Sequence, residues 1–246
     1  MHPLVAVLQL PLNLIPPQAR VPILFGPLRG TRWIVGSGNH VCWLGVYEYR
    51  KQRVVQRMVR AGSTFYDIGA HVGFHSLLAS RVVGPTGRVC SFEPFPRNLR
   101  YLHEHVRLNH AANVQIVEVA VADQAGVEAF GERGTYMGGL RESGALRVRT
   151  VSIDPLLADK TIPPPDFIKM DVEGGELRAL HGMHDTLVRY RPTIFLATHS
   201  PDLHRECMQF LTELGYHIAP LVVGDDVSRT DELIARHPNS SPSRSR

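Results

Sequence analysis

The run Phe65-Tyr66-Asp67-Ile68-Gly69-Ala70-His71-Val72-Gly73 constrains this chain more than any other stretch. Ser63 to Ile68 is short, apolar and aromatic-rich and is bounded by Gly62 and Gly69, which reads as a buried strand. Gly69 permits a sharp turn at the strand's end. Gly73 stands where a helix over 74–82 begins, and its missing side chain leaves room for a ligand. About twenty residues on, a second strand-like stretch, Val89-Cys90-Ser91-Phe92, ends in Glu93. Two such units in tandem place a nucleotide-type ligand across the carboxyl ends of two neighbouring parallel strands.

The glycine spacing narrows the ligand. A pyrophosphate cofactor wants G-x-G-x-x-G, which crowds backbone N–H groups around the phosphates. Here the pattern is G-x-x-x-G with His71 between the glycines. S-adenosylmethionine (SAM) has no phosphate; it carries an ammonium and a sulfonium, and Asp67 is placed to suit that charge. Glu93 is placed to accept from both ribose hydroxyls, as the equivalent acid does in other nucleoside sites. The expected cofactor contacts are therefore Asp67, Gly69, Ala70, His71 and Gly73 around the methionine part, and Glu93 at the ribose. Ala120 and Val121, in the segment 120–123 after the third strand, lie towards the adenine.

The rest of the chain alternates. Strand 64–68, helix 74–82, strand 88–92, helix 96–109 and strand 114–119 are followed, after a break, by strand 166–170, helix 174–190, strand 193–198, helix 202–214 and strand 216–223. A last apolar patch, Leu233-Ile234-Ala235, closes the sheet. Alternation of this kind predicts an α/β fold: a doubly wound, seven-stranded sheet, mostly parallel and covered on both faces. No helix-length segment separates the last two strands, so an antiparallel pair is expected at the sheet edge. Residues 125–152 break the rhythm with six glycines and read as an insertion with short antiparallel strands and a mobile loop near Tyr136-Met137-Gly138-Gly139. Residues 1–60 read as an N-terminal arm and small addition packing on a core domain of residues 61–237. The addition includes a hairpin strand over 32–35 and a helix over 48–61. Residues 238–246, rich in Ser, Pro and Arg, read as a disordered tail.

A second constellation lies at Phe167-Ile168-Lys169-Met170-Asp171-Val172-Glu173-Gly174-Gly175-Glu176. An apolar strand ends in Asp171, and a helix opens after the glycine pair. Asp171 belongs at the carboxyl end of the fourth strand, beside the first, facing the crevice. Glu173 and Glu176 also suit a helix start for reasons of dipole alone. His199 follows the fifth strand, and its ordinary pKa suits base work near neutrality. Asp171 and His199 are therefore the two candidate bases, with Asp171 also within reach of the cofactor. Two carboxylates do not make a metal site, so no metal is expected, although Asp171 with Glu173 is the place where a divalent cation would sit.

Phe65 to Ser76, Ser91-Phe92-Glu93-Pro94, Leu108-Asn109, Ile168 to Glu176 and Arg191-Pro192 together resemble the FkbM-type SAM-dependent methyltransferases, from about residue 43 to 220. The resemblance implies a class I, Rossmann-like methyltransferase, and in particular O-methylation of a hydroxyl on a sugar or natural-product small molecule. The chain departs from the family's usual pattern at His71, where Asn is more frequent, and at Ala197-Thr198-His199, where an acidic residue is common.

Composition excludes little but is consistent. The 246 residues suffice for one α/β domain with additions. The net charge of +4 draws much on Arg50, Lys51, Arg53, Arg57 and Arg60, which read as a solvated helix face, so no nucleic-acid partner is expected. Cys42, Cys90 and Cys207 have no metal-ligand spacing and fit a reducing cytosol. The apolar stretch from Pro3 to Pro17 is broken by prolines and polar residues and has no signal-peptide layout, so an extended packing arm is expected and not a membrane span. Two rival readings remain from the sequence: a catalytically silent binding or scaffold protein on the same fold, and an NAD-linked oxidoreductase. The missing G-x-G-x-x-G and the charge of Asp67 speak against the second.

Overall fold

A computed structural model describes residues 14–133, 137–140, 144 and 146–240. A hairpin of β1 (Arg20–Pro22) and β2 (Arg32–Ile34) and two helices, α1 (His40–Leu44) and α2 (Tyr49–Met58), precede the main sheet. Then β3 (Thr64–Ile68), α3 (Phe74–Val83), β4 (Arg88–Phe92), α4 (Pro96–Leu108) and β5 (Val114–Val117) alternate as expected. Four strands follow, β6 (Ala120–Val121), β7 (Gly126–Arg133), β8 (Met137–Leu140) and β9 (Leu146–Val151), with helix α5 (Ile153–Ala158) behind them. The chain continues through β10 (Phe167–Met170), α6 (Glu176–His181), α7 (His184–Tyr190), β11 (Thr193–Ala197), α8 (Pro201–Glu213), β12 (His217–Pro220) and β13 (Glu232–Arg236).

Seven strands form the main sheet in the order β12-β13-β11-β10-β3-β4-β5. The five strands from β11 to β5 run parallel. The antiparallel pair lies at the sheet edge, and its reversed member, β13, is inserted between β11 and β12 so that it opposes both. Strand order therefore reverses beside β3, where β4 lies on one side and β10 on the other, and a doubly wound sheet opens its ligand crevice at that point.

Both faces of the sheet are buried. Tyr66, Ile68, Phe92, Ile168, Met170 and Leu196 pack on one side, and Phe65, Val89, Phe195, Leu78 and Trp33 on the other. The N-terminal hairpin is part of that second layer. Trp33 is fully buried and stacks on His105 of α4, with ring centroids 3.9 Å apart. His105 Nε2 accepts from the Ile34 N–H at 3.1 Å, so the ring proton is on Nδ1, which donates to the Val72 carbonyl at 2.7 Å. Burial holds this imidazole down to a pKa of about 4, so it stays neutral and ties the hairpin to the loop after β3.

Three elements differ from expectation. The helix expected over 174–190 is broken into α6 and α7 at Gly182, where a Cβ would lie 1.9 Å from the Ala122 carbonyl oxygen. The Gly182 carbonyl also accepts from the Ile153 amide and the Ser152 hydroxyl, so a neighbouring segment docks at the break. The third strand of the sheet stops at Val117, because Ala120–Val121 leaves to pair with β9 in a second sheet of order β6-β9-β7-β8. In the insertion, Met137–Leu140 forms β8 against β7, while Tyr136 lies outside the described residues, as do 1–13 of the arm and 241–246 of the tail.

Candidate active site

The loop after β3 bends over the end of β4. Gly69 and Ala70 both donate their amides to the Phe92 carbonyl, at 3.0 and 2.9 Å. Gly69 has φ +75°, and a Cβ there would lie 1.9 Å from the Asp171 carbonyl oxygen, so two chain segments touch where only glycine fits. His71 is also left-handed, at φ 52°. Asn and His are among the side chains that tolerate this region best, which explains how His stands here in place of Asn. The turn aims the His71 amide at Glu93 Oε2, 2.7 Å away.

Glu93 is nearly fully buried. Its other oxygen accepts from the Phe95 amide at 2.9 Å and faces the Asn98 side-chain amide at 3.4 Å. Burial pushes its pKa up to about 7, against the downward pull of those donors. The folded-state pKa is raised, so the contribution of Glu93 to stability is full below the ordinary carboxylate range and is lost as pH rises through about 7.

Glu93 lines a cavity at the crevice together with Gly69, Ala70 and His71 on one side and Val119, Ala120 and Val121 on another. Phe130 and Leu140 from the inserted sheet add apolar wall. Gly139 packs so tightly on the turn after β10 that a Cβ would meet the Glu173 carbonyl at 2.8 Å. The insertion thus forms one side of the site.

Two of the expected cofactor residues are elsewhere. Asp67 is fully buried and is not in the cavity wall. It accepts from Ser76 Oγ at 2.6 Å and pairs with Lys169 Nζ at 3.3 Å. The register explains this: Asp67 lies opposite Lys169 on β10 and Ser91 on β4, on the face covered by α3. Buried and paired, Asp67 presents no charge to a ligand in the cavity, pyrophosphate included. Gly73 is absent from the wall as well. Its φ is +94°, and a Cβ would strike Leu102 Cδ1 at 2.6 Å, so it makes room for α4 and not for a ligand.

The second constellation lies beside the loop after β3, at the end of β10. Asp171 and Glu173 both line the cavity. Glu173 is left-handed at φ 57°, and Gly174 follows at φ +105°. Glu176, fully buried, steadies this turn: its Oε1 accepts from the Val172 and Gly174 amides at 3.3 and 3.1 Å. The same oxygen lies 2.7 Å from His199 Nδ1. His199 itself is not part of the cavity wall; its Nε2 points at Asp171 Oδ1 and Glu173 Oε2, 3.4 and 3.7 Å away. The hydrogen bond to Glu176, with Asp171 and Glu173 adding to it, holds the imidazole above its ordinary pKa.

Four wall residues were not among the expected site residues: Lys169, Asn98, Tyr47 and His75. Lys169 Nζ donates to the Gly69 carbonyl at 2.7 Å, so it braces the first loop as well as pairing with Asp67. Asn98 is held on the first turn of α4 beside Glu93. Tyr47 and His75 come from the N-terminal addition and from α3. His75 Nε2 is 2.8 Å from Glu48 Oε2, which also takes Lys51 Nζ at 2.7 Å. Burial works against the charge of Glu48, yet His75 and Lys51 hold its carboxyl well below the usual range. Burial and the neighbouring Glu48 push the Tyr47 phenol well above its own, so it stays protonated.

Residues 67–218 match the Methyltransferase FkbM domain family. Over 141 residues the chain is 26% identical to the hexuronic acid methyltransferase AglP of Haloferax volcanii, a stretch covering 55% of this chain and 56% of that protein. The chain thus spans about half the length of this curated relative. The fold is similar to a crystal structure titled methyltransferase FkbM from Methylobacillus flagellatus, with TM-score 0.55 and 17% identity, covering 81% of this chain and 56% of that one. It is also similar to a precorrin-6y C5,15-methyltransferase from Geobacter metallireducens, with TM-score 0.50 and 17% identity, covering 76% and 86%. The match over more than half of the chain, on a seven-stranded sheet with its crevice at the point of reversal, shows that this protein belongs to the FkbM methyltransferase family.

Proposed function

We propose that the chain is a SAM-dependent methyltransferase acting on a hydroxyl of a small sugar-type acceptor. The observation that carries the reading is Glu93, a carboxylate held on the wall of the cavity by the His71 and Phe95 amides. A ribose with two adjacent hydroxyls suits such a carboxylate, and the apolar surface of Val121, Phe130 and Leu140 beside it suits an adenine. The residues present therefore fit SAM without Asp67 or Gly73. The acceptor class is supported by the relative named as a hexuronic acid methyltransferase.

When bound, SAM supplies a methyl group on a sulfonium, which departs as a thioether when the acceptor oxygen attacks in line. The chain's own work is positioning, exclusion of water and proton removal. Asp171 lines the cavity at the end of β10 and takes the hydroxyl proton. Tyr47 and His75 line the same cavity and orient the acceptor through their polar edges. His199 acts through Asp171 and Glu173 and does not itself meet the acceptor.

Thermal unfolding with S-adenosylhomocysteine tests the cofactor. At a hundred times its dissociation constant the ligand adds about 2.7 kcal/mol, which for a chain of this size is a rise of roughly 5–10 °C. A rise with NAD in its place, and none with S-adenosylhomocysteine, would overturn the reading. Turnover with a panel of sugars and uronic acids then separates an enzyme from a silent binding protein.

The ribose assignment has its own pH signature. Charged Glu93 is the better acceptor, and with a pKa near 7 its ionised fraction rises about tenfold between pH 6 and pH 8. S-adenosylhomocysteine should therefore bind up to about tenfold tighter at pH 8 than at pH 6 by calorimetry. Glu93→Gln should flatten that dependence and weaken binding by about 1–3 kcal/mol at pH 8. A variant with wild-type affinity and wild-type pH dependence removes Glu93 from the ribose.

A further inference from the structure

Asp171, Glu173 and His199 each present one donor atom, and the three atoms lie within 4.8 Å of one another. The proton on the imidazole can be placed. Glu176 Oε1 already accepts from two backbone amides, so it accepts from His199 too, and Nδ1 carries the hydrogen. With the ring neutral, the lone pair of Nε2 faces Asp171 Oδ1 at 3.4 Å and Glu173 Oε2 at 3.7 Å. Three acceptors facing one another need a positive charge between them. An imidazole anchored through its far nitrogen by a buried carboxylate is also the usual support of a metal-ligating histidine. Glu176 is fully buried, and its second oxygen has no hydrogen-bond partner.

Charge counting favours a divalent cation over a proton. Asp171, Glu173 and Glu176 bring three carboxylates around one imidazole. A proton on Nε2 leaves two negative charges over. Lys169 is paired with Asp67, and Lys51 with Glu48 and Glu232; Lys51 reaches Asp171 only through its longer-range field. We propose that Asp171 Oδ1, Glu173 Oε2 and His199 Nε2 bind one divalent cation of the Mg²⁺/Mn²⁺ class, with its remaining positions open to the cavity. Bonds of roughly 2.0–2.2 Å at right angles place cis ligands about 3 Å apart. From 3.4 and 3.7 Å, the two imidazole–carboxylate separations would close by about 0.4 and 0.7 Å to reach that spacing. An oxygen-rich set with one imidazole suits Mn²⁺ at least as well as Mg²⁺.

The role of the cation rests on the methyl-transfer reading, while its binding does not. Asp171 and Glu173 line the cavity, so an acceptor hydroxyl can become a ligand. Its pKa then falls, and its proton passes to a carboxylate oxygen not on the metal. The oxygen then attacks the methyl carbon while the C–S bond breaks with its electron pair going to sulfur. Acceptors with a second oxygen next to the reacting hydroxyl, vicinal diols and 2-hydroxy acids, chelate and are preferred.

Mn²⁺ titration of the full chain, stripped with EDTA and followed by the EPR signal of free Mn²⁺, tests the site without turnover. Wild type should take up one Mn²⁺ per chain, displaceable by Mg²⁺. His199→Ala and Glu173→Gln should each weaken binding at least tenfold, while keeping the rise in unfolding temperature with S-adenosylhomocysteine that shows an intact cofactor pocket. No uptake by wild type, or uptake unchanged in both variants, overturns the proposal. Uptake that depends on both residues but comes with no response to S-adenosylhomocysteine upholds the cation site and removes the methyl-transfer reading instead.

Discussion

Replacing Asp67 by Ala should lower stability by about 3–5 kcal/mol, the usual cost of stranding one half of a buried ion pair. Lys169 is as buried as its partner, at 4% exposure against 0%, so its ammonium would be left with the Gly69 carbonyl alone. The loss should appear in urea denaturation as a lower midpoint at an unchanged slope. The double variant Asp67→Ala, Lys169→Met should recover a substantial part of it, because removing both charges leaves nothing unpaired. Asp67→Asn, which retains the contact with Ser76, should bind S-adenosylhomocysteine about as well as wild type where it is folded. A large loss of affinity with stability intact would return Asp67 to the cofactor.

Asp67 also shows what kind of information a linear reading holds. The alternation of strands and helices, the neighbours β3, β4 and β10 and the acid at the end of β4 follow from periodicity and breakers, which are local. Which way one side chain of a buried strand points is also local, but what it meets is not. Asp67 and Lys169 are about a hundred residues apart, and only parallel register sets them opposite each other with Ser91 on the other flank. Both strands are covered on both faces, so their sequences show no polar side from which the pairing could be read. Gly73 misled for a related reason: a glycine at a helix start signals close approach, but not whether the approaching atom belongs to a ligand or to Leu102.

Tyr47, Glu48 and His75 were invisible for a stronger reason. Glu48 takes a left-handed conformation at φ 44° to open α2, and its carboxylate joins His75 of α3 to Lys51 of its own helix. Nothing near position 48 marks that role, and the N-terminal addition carries no chemical signature of its own. By contrast, Asp171 and Glu173 were legible because the glycine pair after them fixes a turn at the end of a strand. The sequence also pointed to His199, but placed it in the crevice; in the structure it stands outside the wall, joined to it through two carboxylates. It stands just after β11 and gives the cluster one nitrogen donor beside its two carboxylates.

Asp171→Asn should cut turnover by about 10²–10⁴-fold, the range for loss of a general base, while S-adenosylhomocysteine affinity changes by less than about threefold. The carboxamide keeps the shape of the side chain and leaves the Asp171 amide bonded to the Ile68 carbonyl at 3.1 Å, so the strand end should hold. What it loses is the capacity to take a proton and part of its affinity for a cation. Both losses act on the acceptor and should therefore appear in kcat and not in cofactor binding. His199→Ala should lower turnover less, by about tenfold, because it acts on the acceptor only through Asp171 and Glu173. Steady-state rates of S-adenosylhomocysteine release with a uronic acid acceptor, beside calorimetric affinities for the same variants, separate the two effects. Turnover of Asp171→Asn within threefold of wild type would take Asp171 out of the chemistry, and an equal loss in kcat and cofactor affinity would make it a cofactor ligand.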